Sequence, residues 1–266
     1  MLLGLLCGLL VGACGGASDT PSPGGAVRVV TLDPGYTRVL LDLGVGELLV
    51  GAADLDPAAP AGTPRVGSYL DVDAERLRAL RPTHVLTSPP LDALAAALDL
   101  DAVEVVASPL PRTLAGVNAR VEAVAAALGA DAAGHRIEPP EPVGGASDPP
   151  VRYLLAFGTD PLRVMGGETV HSRWLAARRP AWVNAAAGYR VPAPVLDREL
   201  LGALAVDVVL LLGADDARGV EWAGGATAEL GVAVVRVRDP EALLVSTNLG
   251  RVFGLLDAAC GVYQAQ

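Results

Sequence analysis

Short runs of apolar, often β-branched residues alternate along the chain with stretches in which apolar side chains recur every three or four positions. From residue 27 onward this alternation is typical of strands and amphipathic helices in parallel α/β units. In the first half of the chain it predicts strands over 27–32, 48–52, 84–87 and 103–107. The stretches between them predict helices over 36–43, 73–80 and 91–98. Together these elements predict an N-terminal α/β lobe, residues 27–112.

A longer helix is predicted directly after this lobe, over 113–128. Its apolar residues fall on one face because they are spaced by three and four: Leu114, Val117, Val121, Val124 and Leu128. From 130 to 150 the chain is rich in Pro and Gly, which sustain neither a helix nor a central strand. We therefore expect one interlobe helix followed by a Pro-rich linker, together residues 113–150.

The second half of the chain repeats the pattern of the first. It predicts strands over 151–157, 208–212 and 232–237, and helices over 169–177, 197–204 and 249–259. The predicted fold class is therefore α/β, with two Rossmann-like lobes of parallel-rich sheets joined by one interlobe helix, the C-terminal lobe being residues 151–266. Ligands of such sheets bind beyond the carboxyl ends of the strands, so we expect a ligand cleft between the lobes.

The first fourteen residues differ from the rest because they are almost wholly apolar and end in Gly-Ala-Cys14. This pattern predicts a lipoprotein signal peptide over 1–14, with Cys14 lipidated, although no basic residue precedes Arg28. The alternative is an ordinary signal peptide with an incidental cysteine. Residues 15–26 are rich in Gly, Ser and Pro and predict a flexible tether. We expect a membrane-anchored lipoprotein in the periplasm or at the cell surface.

Charge and histidine content exclude two classes of function. The net charge is −10 and the 20 basic residues are scattered, whereas binding of nucleic acid requires clustered cations. A zinc or manganese site needs three or four converging ligands, and the chain has only His84, His135 and His171. We therefore predict no nucleic-acid partner, no metal site and no cofactor. Only His171 can face the cleft, where its imidazole could coordinate a metal only in the neutral form.

Several segments carry a family resemblance by their order and spacing. In the first half these are Arg28-Val-Val-Thr-Leu-Asp-Pro-Gly-Tyr-Thr37, 43–46 with 49–51, Val66-Gly-Ser-Tyr69, Glu75-Arg-Leu77 and Leu80-Arg-Pro-Thr-His-Val-Leu86. In the second half they are Asp160-Pro161, Val164-Met-Gly-Gly167, Val183-Asn184, Gly188-Tyr189, Asp207-Val-Val-Leu210 and Val237-Arg-Asp-Pro240. Together they resemble the class III periplasmic solute-binding proteins of ABC importers, which take up vitamin B12, haem and iron siderophores.

The resemblance implies two α/β lobes around an interlobe helix that limits hinge closure, a shallow cleft for the ligand, and no catalysis. The chain departs from the family pattern in two places. Arg38 replaces an acidic residue that commonly follows the Thr of the first motif, and the Pro-rich segment 139–150 shortens the interlobe helix. Both departures bear on how rigidly the lobes are held.

A bulky chelate presents flat apolar area and peripheral polar groups, so its cleft needs aromatic platforms and a few donors. Tyr36 and Tyr69 are predicted in loops after strands of the first lobe, and Tyr69 is similar in position to an aromatic cleft residue of cobalamin-binding family members. The resemblance places Tyr189 and Arg190 on the opposite wall, where Arg190 could pair with a carboxylate or phosphate. Ser88 could donate to the ligand. The alternatives are packed tyrosines, a solvated arginine, and a serine that caps the next helix.

Glu75 and Glu199 form a second pair of candidates, one on each lobe at comparable helix positions. The resemblance implies that they dock each lobe onto arginines of the membrane permease, so that two fixed charges report the distance between the lobes. The alternative is that both are acidic residues stabilised by the dipole at a helix N-terminus.

These observations predict a monomeric extracytoplasmic solute-binding lipoprotein that captures a metal chelate, namely cobalamin, haem or a ferric siderophore, and delivers it to an ABC import permease. An exported α/β hydrolase-type enzyme and a scaffold lipoprotein on the same fold are the alternatives. The chain lacks Gly-x-Ser-x-Gly, His-Glu-x-x-His and Walker motifs, so we expect no enzymatic activity.

Overall fold

The first lobe of the protein is built on a four-stranded parallel sheet. The structure, a computed structural model, describes residues 26–145, 149–159, 161–189, 191, 193–213 and 217–265. The sheet has the order β2-β1-β3-β4, with β1 (Val29–Thr31), β2 (Leu49–Ala52), β3 (His84–Thr87) and β4 (Glu104–Ala107). All four strands lie within the segments predicted from the sequence.

Four helices flank this sheet: α1 (Pro34–Asp42), α2 (Ala74–Ala79), α3 (Asp92–Ala97) and α4 (Leu114–Leu128). Their starts are set by side-chain caps, since Asp33, Asp73 and Thr113 each accept a hydrogen bond from a backbone N–H in the first turn. Gly129 ends α4 in the left-handed conformation at φ 65°. The helices predicted over this half are therefore confirmed to within a few residues.

Helix α4 crosses from one lobe to the other. Its residue Val117 packs into the core of the second lobe, whereas Val121 and Val124 pack into the core of the first. After α4, the described residues from 130 to 145 form no helix or strand. The Asn118 side chain holds this segment against α4, donating to the Ile137 carbonyl at 3.1 Å and accepting from its N–H at 2.9 Å. The predicted interlobe helix and the break after it are both present.

The second lobe contains a larger, mixed sheet of order β10-β9-β5-β6-β8, with β7 paired to β5. Its strands are β5 (Val151–Thr159), β6 (Leu162–Val164), β7 (Trp182–Asn184), β8 (Val195–Leu196), β9 (Val208–Leu212) and β10 (Ala233–Val237). Strands β7 and β9 run parallel to β5, and β10 runs parallel to β9. The short strands β6 and β8 are antiparallel and, like β7, were not predicted from the sequence.

Helices α5 (Val170–Arg178), α6 (Arg198–Ala203), α7 (Ala217–Leu230) and α8 (Leu249–Gln264) complete the second lobe. Each lobe has apolar clusters on both faces of its sheet, and every residue of β9 is buried, as expected for a central parallel strand. The two-lobed, parallel-rich α/β fold predicted from the sequence is confirmed. No helix in the described part of the chain combines the length and hydropathy that a membrane span requires.

Candidate functional site

A cavity of about 310 Å³ lies between the two lobes. From the first lobe it is lined by residues 109–112, which follow β4; from the second it is lined by Phe157 of β5, by residues between 165 and 171, and by Leu243 and Val245, which follow β10. Residues after the carboxyl ends of strands in both lobes therefore meet at one place. This is where ligands bind in open α/β sheets.

The walls of this cavity are mainly apolar. Leu110 is 56% exposed and Leu243 is also exposed, although large apolar side chains of this kind are more often buried. Two charged lining residues, Arg112 and Glu168, are exposed as well. An apolar surface with a few charged groups is suited to a ligand that has a flat apolar body and polar edges.

His171 lies in the first turn of α5 and is a lining residue of the cavity. Its side chain is buried, its Nε2 donates to the Ala242 carbonyl at 3.0 Å, and its ring meets that of Phe253 edge to face. Burial lowers the pKa of His171 to about 4, so the imidazole is neutral at pH 7. The prediction that His171 borders the cleft is confirmed, whereas His84 lies on β3 and pairs with Glu104, and His135 lies in the linker.

A buried polar network lies beneath the strand ends of the first lobe. Arg120 reaches from α4 to donate to Asp33 Oδ2 at 3.2 Å, to Ser88 Oγ at 3.3 Å and to Ser108 Oγ at 3.1 Å. Ser88 donates to Asp33 Oδ2 at 2.6 Å, and the Tyr36 hydroxyl shares a hydrogen bond with Ser108 at 2.9 Å. The Arg120 guanidinium also lies 4.3 Å above the Tyr36 ring. The network ties the interlobe helix to the ends of β1, β3 and β4.

This network changes the interpretation of two predicted ligand residues. Tyr36 was predicted both as the first residue of a helix and as a loop residue available to a ligand; it lies in the first turn of α1 and is fully buried, because its ring packs in the core under Arg120. Ser88 does not cap the next helix. The N-cap residue of α3 is Leu91, and this cap has no side-chain hydrogen bond. Neither Tyr36 nor Ser88 is among the residues that line the interlobe cavity.

Tyr69 and Tyr189 occupy strand-end positions in opposite lobes. The backbone N–H of Tyr69 donates to the Leu32 carbonyl just after β1, and its half-buried ring packs on the first lobe. Tyr189 follows β7, and its half-buried ring packs on the second lobe. Neither ring lines the cavity itself. Arg190 and Cys14, two further predicted functional residues, lie outside the described residues.

Glu75 and Glu199 occupy equivalent positions on the two lobes. Each is exposed in the first turn of a short helix, two residues after the aspartate that caps it. Asp73 accepts from the Arg76 N–H at 3.0 Å, and Asp197 accepts from the Leu200 N–H at 2.8 Å. The geometry is compatible with both predicted roles, docking to a permease and stabilisation by the helix dipole.

The cavity contains residues that sequence reasoning did not select, chiefly Leu110, Phe157, Met165 and Leu243. Phe157 ends a strand segment predicted from the sequence, so the rule that ligands bind at strand ends could have identified it. Met165 lies within one of the family-like segments. Leu243 follows β10 in a stretch without helix or strand, and no hydrophobic periodicity marks it.

Comparison with solved structures shows close similarity over nearly the whole chain. The periplasmic heme-binding protein RhuT from Roseiflexus sp. RS-1, in its apo form, has a TM-score of 0.66 and 26% identity, covering 91% of this chain and 99% of its own. The periplasmic heme-binding protein BhuT in complex with two hemes has a TM-score of 0.68 and 26% identity, covering 90% of this chain and 99% of its own.

The periplasmic vitamin B12 binding protein BtuF of Vibrio cholerae has a TM-score of 0.66 and 19% identity, covering 91% of this chain and 99% of its own. At that identity the match supports the fold alone. No family model matches the chain, and no curated protein matches its sequence.

Proposed function

The chain resembles the class III periplasmic solute-binding proteins of ABC importers in sequence and fold, and we propose that it captures a metal chelate for delivery to an ABC import permease. The observation that carries this proposal is the apolar cavity between the lobes, formed where residues after the strands of both lobes meet. Two proteins of the same fold, at 26% identity, are heme-binding proteins.

The ligand class follows from the chemistry of the cavity walls. Leu110, Phe157, Met165 and Leu243 offer apolar area to a flat ring system, and Arg112 offers a guanidinium to a carboxylate at its edge. Haem has both features, and cobalamin and ferric siderophores have them in part. A volume of about 310 Å³ accommodates part of such a molecule and leaves the rest exposed in a shallow cleft.

Individual side chains have assignable roles in this proposal. Tyr69 and Tyr189 extend the binding surface beyond the cavity, one from each lobe, and Arg190 pairs with a carboxylate or phosphate of the ligand. Ser88 and Tyr36 support the floor of the cleft through their hydrogen bonds in the Arg120 network. Either side chain could contact a ligand only if it gave up those hydrogen bonds. His171, held neutral by burial, is the one histidine at the cavity and is the candidate axial ligand if the chelate is haem.

Delivery to the permease is proposed to use Glu75 and Glu199. Both carboxylates are exposed, and their helices α2 and α6 occupy equivalent places in the two lobes, so a partner with two basic patches can contact both at once. The protein acts outside the cytoplasm, in the periplasm or at the cell surface, as a monomer anchored to the membrane through lipid on Cys14.

Thermal unfolding with one chelate at a time tests this function. Hemin, cyanocobalamin and a ferric siderophore are the probes, and a chelate that binds only the folded state raises the free energy of unfolding by about 2.7 kcal/mol at a hundredfold excess over its Kd. We expect one of the three to raise the Tm. If none of them does, the proposed function is wrong.

A pair of matched variants locates the site. Leu110 lines the cavity, whereas Leu255 on α8, which is also exposed, does not. Leu110→Arg should abolish the chelate-induced rise in Tm because it places a charge against the apolar ligand face. Leu255→Arg should leave the rise intact. Equal effects of the two substitutions would place the ligand elsewhere.

A further inference from the structure

The two lobes also touch beside the cavity, through helix α1 of the first lobe and residues 239–248 of the second, a segment between β10 and α8 that we call the strap. The backbone approach is close, since a Cβ added to Gly35 of α1 would lie 3.1 Å from the Val245 carbonyl oxygen. Thr247 of the strap donates a hydrogen bond to Asp42 of α1. Helix α1 and the strap therefore form a second junction between the lobes, in addition to α4.

Charged side chains alternate in sign across this junction. Arg38 of α1 pairs with Asp42 one turn later, and its guanidinium lies 3.7 Å from the carboxylate of Glu241 on the strap. Glu241 lies in turn 3.6 Å from Arg251 of α8. One strap carboxylate is thus shared by an arginine from each lobe. We call Arg38, Asp42, Glu241 and Arg251 the clasp.

The clasp has hydrogen-bonding capacity that it does not use. Both separations from Glu241 exceed the roughly 2.7–3.2 Å of an N–H···O hydrogen bond. Arg38 Nε and Glu241 Oε2 are buried without a hydrogen-bond partner, as is Oδ1 of the adjoining Asn248. A small approach of α1 and the strap would bring the Arg38 guanidinium and the Glu241 carboxylate, now 3.7 Å apart, to hydrogen-bond distance, and that bond would stabilise the closer position.

The strap also forms part of the cavity wall. Leu243 and Val245 line the interlobe cavity, and the carbonyl of Ala242 accepts the hydrogen bond from His171. Asn248 donates to the Glu241 carbonyl at 2.8 Å, which closes the strap into a compact loop. A displacement of Glu241 is therefore transmitted to the residues that border the ligand site.

We propose that Arg38 is a positioning residue: through Glu241 it holds the strap of the second lobe against the first lobe and thereby sets the width of the interlobe cleft. This role gives a reason for the arginine at a position where the resembled family commonly has an acidic residue. The proposal rests on the proposed function, in which the interlobe cavity is the ligand site, but the contact itself joins only residues of the protein.

The distance between the lobes in the absence of ligand tests the proposal. Spin labels are placed on one exposed residue of each lobe, with Asp92→Cys and Val195→Cys, in a chain in which Cys7 and Cys14 are replaced by serine. The remaining cysteine, Cys260, is fully buried and resists labelling. Double electron–electron resonance then gives the distribution of interlobe distances.

In this background we expect Arg38→Ala and Glu241→Gln each to broaden the distribution and move its mean by several ångström, and the double variant to add little to either. Arg38→Lys keeps the charge and should stay close to the parent chain. Arg136→Ala is the control, because Arg136 pairs with Glu122 and Glu138, neither of which belongs to the second lobe's sheet or strap.

Distributions for Arg38→Ala and Glu241→Gln that coincide with the parent would overturn the proposal. This measurement contains no chelate, so it tests whether the clasp positions the lobes even if the proposed transport function is wrong. With a chelate that binds the parent chain, Arg38→Ala should weaken binding by about twofold to fivefold, the range expected for one partly exposed ion pair. Unchanged affinity together with unchanged distances would reject the positioning role in both states.

Discussion

At the scale of single residues, Arg120 shows why strand-end polar groups can be structural rather than available to a ligand. Asp33, Ser88 and Ser108 each closely follow a different strand, the position at which ligand donors are expected. All three are bound by Arg120, whose side chain is only 1% exposed. A buried charge must be paired, so this arginine uses their hydrogen-bonding capacity.

The sequence could not have revealed this network, because Asp33 and Arg120 lie 87 positions apart. A position after a strand can be read from hydrophobic pattern, and so Ser88 was a reasonable candidate donor. Arg120, which donates to Ser88, lies on α4, on a face that the hydrophobic pattern predicts to be part of the core. Burial of Tyr36 under the same guanidinium escaped prediction for the same reason.

His171 gives a prediction for the pH dependence of stability. Burial lowers its pKa from 6.5 to about 4 in the folded protein, so between these pH values the unfolded chain binds a proton that the folded chain does not. The folded state therefore loses stability as pH falls through this window, by about 1.4 kcal/mol per pH unit from this group.

Replacing the group should remove that contribution. Urea unfolding at pH 7 and pH 5 is expected to show a smaller loss of stability in His171→Asn and His171→Gln than in the parent chain. Both variants lower stability at pH 7 as well, since they disturb a packed site, so the difference between the two pH values is the readout. Equal pH dependence in parent and variants would mean that the imidazole is already charged or exposed when folded.

At the scale of elements, the reliability of sequence reasoning depended on how many residues an element contributes to a pattern. Strand β9 was predicted over its full length because all five of its residues are apolar. In the structure all five are buried. Strands β6, β7 and β8 span two or three residues each, too few to establish a period of two. Helix α7 was missed because Gly219, Gly224 and Gly225 interrupt it, and glycine disfavours a helix interior.

The end of the interlobe helix gives a prediction at this scale. Gly129 ends α4 at φ 65°, a conformation that costs an L side chain about 1 kcal/mol or more. Gly129→Ala should lower the free energy of unfolding by about this amount, measured by urea denaturation.

Gly254 provides the matched control, because it lies inside α8 with open space where a Cβ would be and is exposed. Gly254→Ala should raise the free energy of unfolding by about 0.5–1 kcal/mol, since alanine is the better helix former. If both substitutions stabilise the protein to the same extent, then α4 does not end in a left-handed residue at Gly129.

At the scale of the whole molecule, two lobes with separate cores are joined by α4 and by the contact between α1 and the strap. The lobes enclose a cavity lined from both sides, and Arg38, one of the two departures from the resembled family, lies at the contact between α1 and the strap. The sequence motifs predicted the fold and the family likeness because they depend on order and spacing along the chain. The cavity wall was predicted only in part, because its members come from separate loops that meet only after folding.

The central claim is that a bulky chelate is bound between the lobes and contacts both of them. Hydrogen–deuterium exchange of the protein, with and without the chelate that raises its Tm, measures this most directly. Our account predicts slower exchange on binding at Leu110 and Arg112 of the first lobe, since Pro109 and Pro111 have no amide hydrogen, and in 165–171 and 243–245 of the second, with little change on the linker 130–136. Protection confined to one lobe, or absent from all three segments while the chelate is bound, would contradict it.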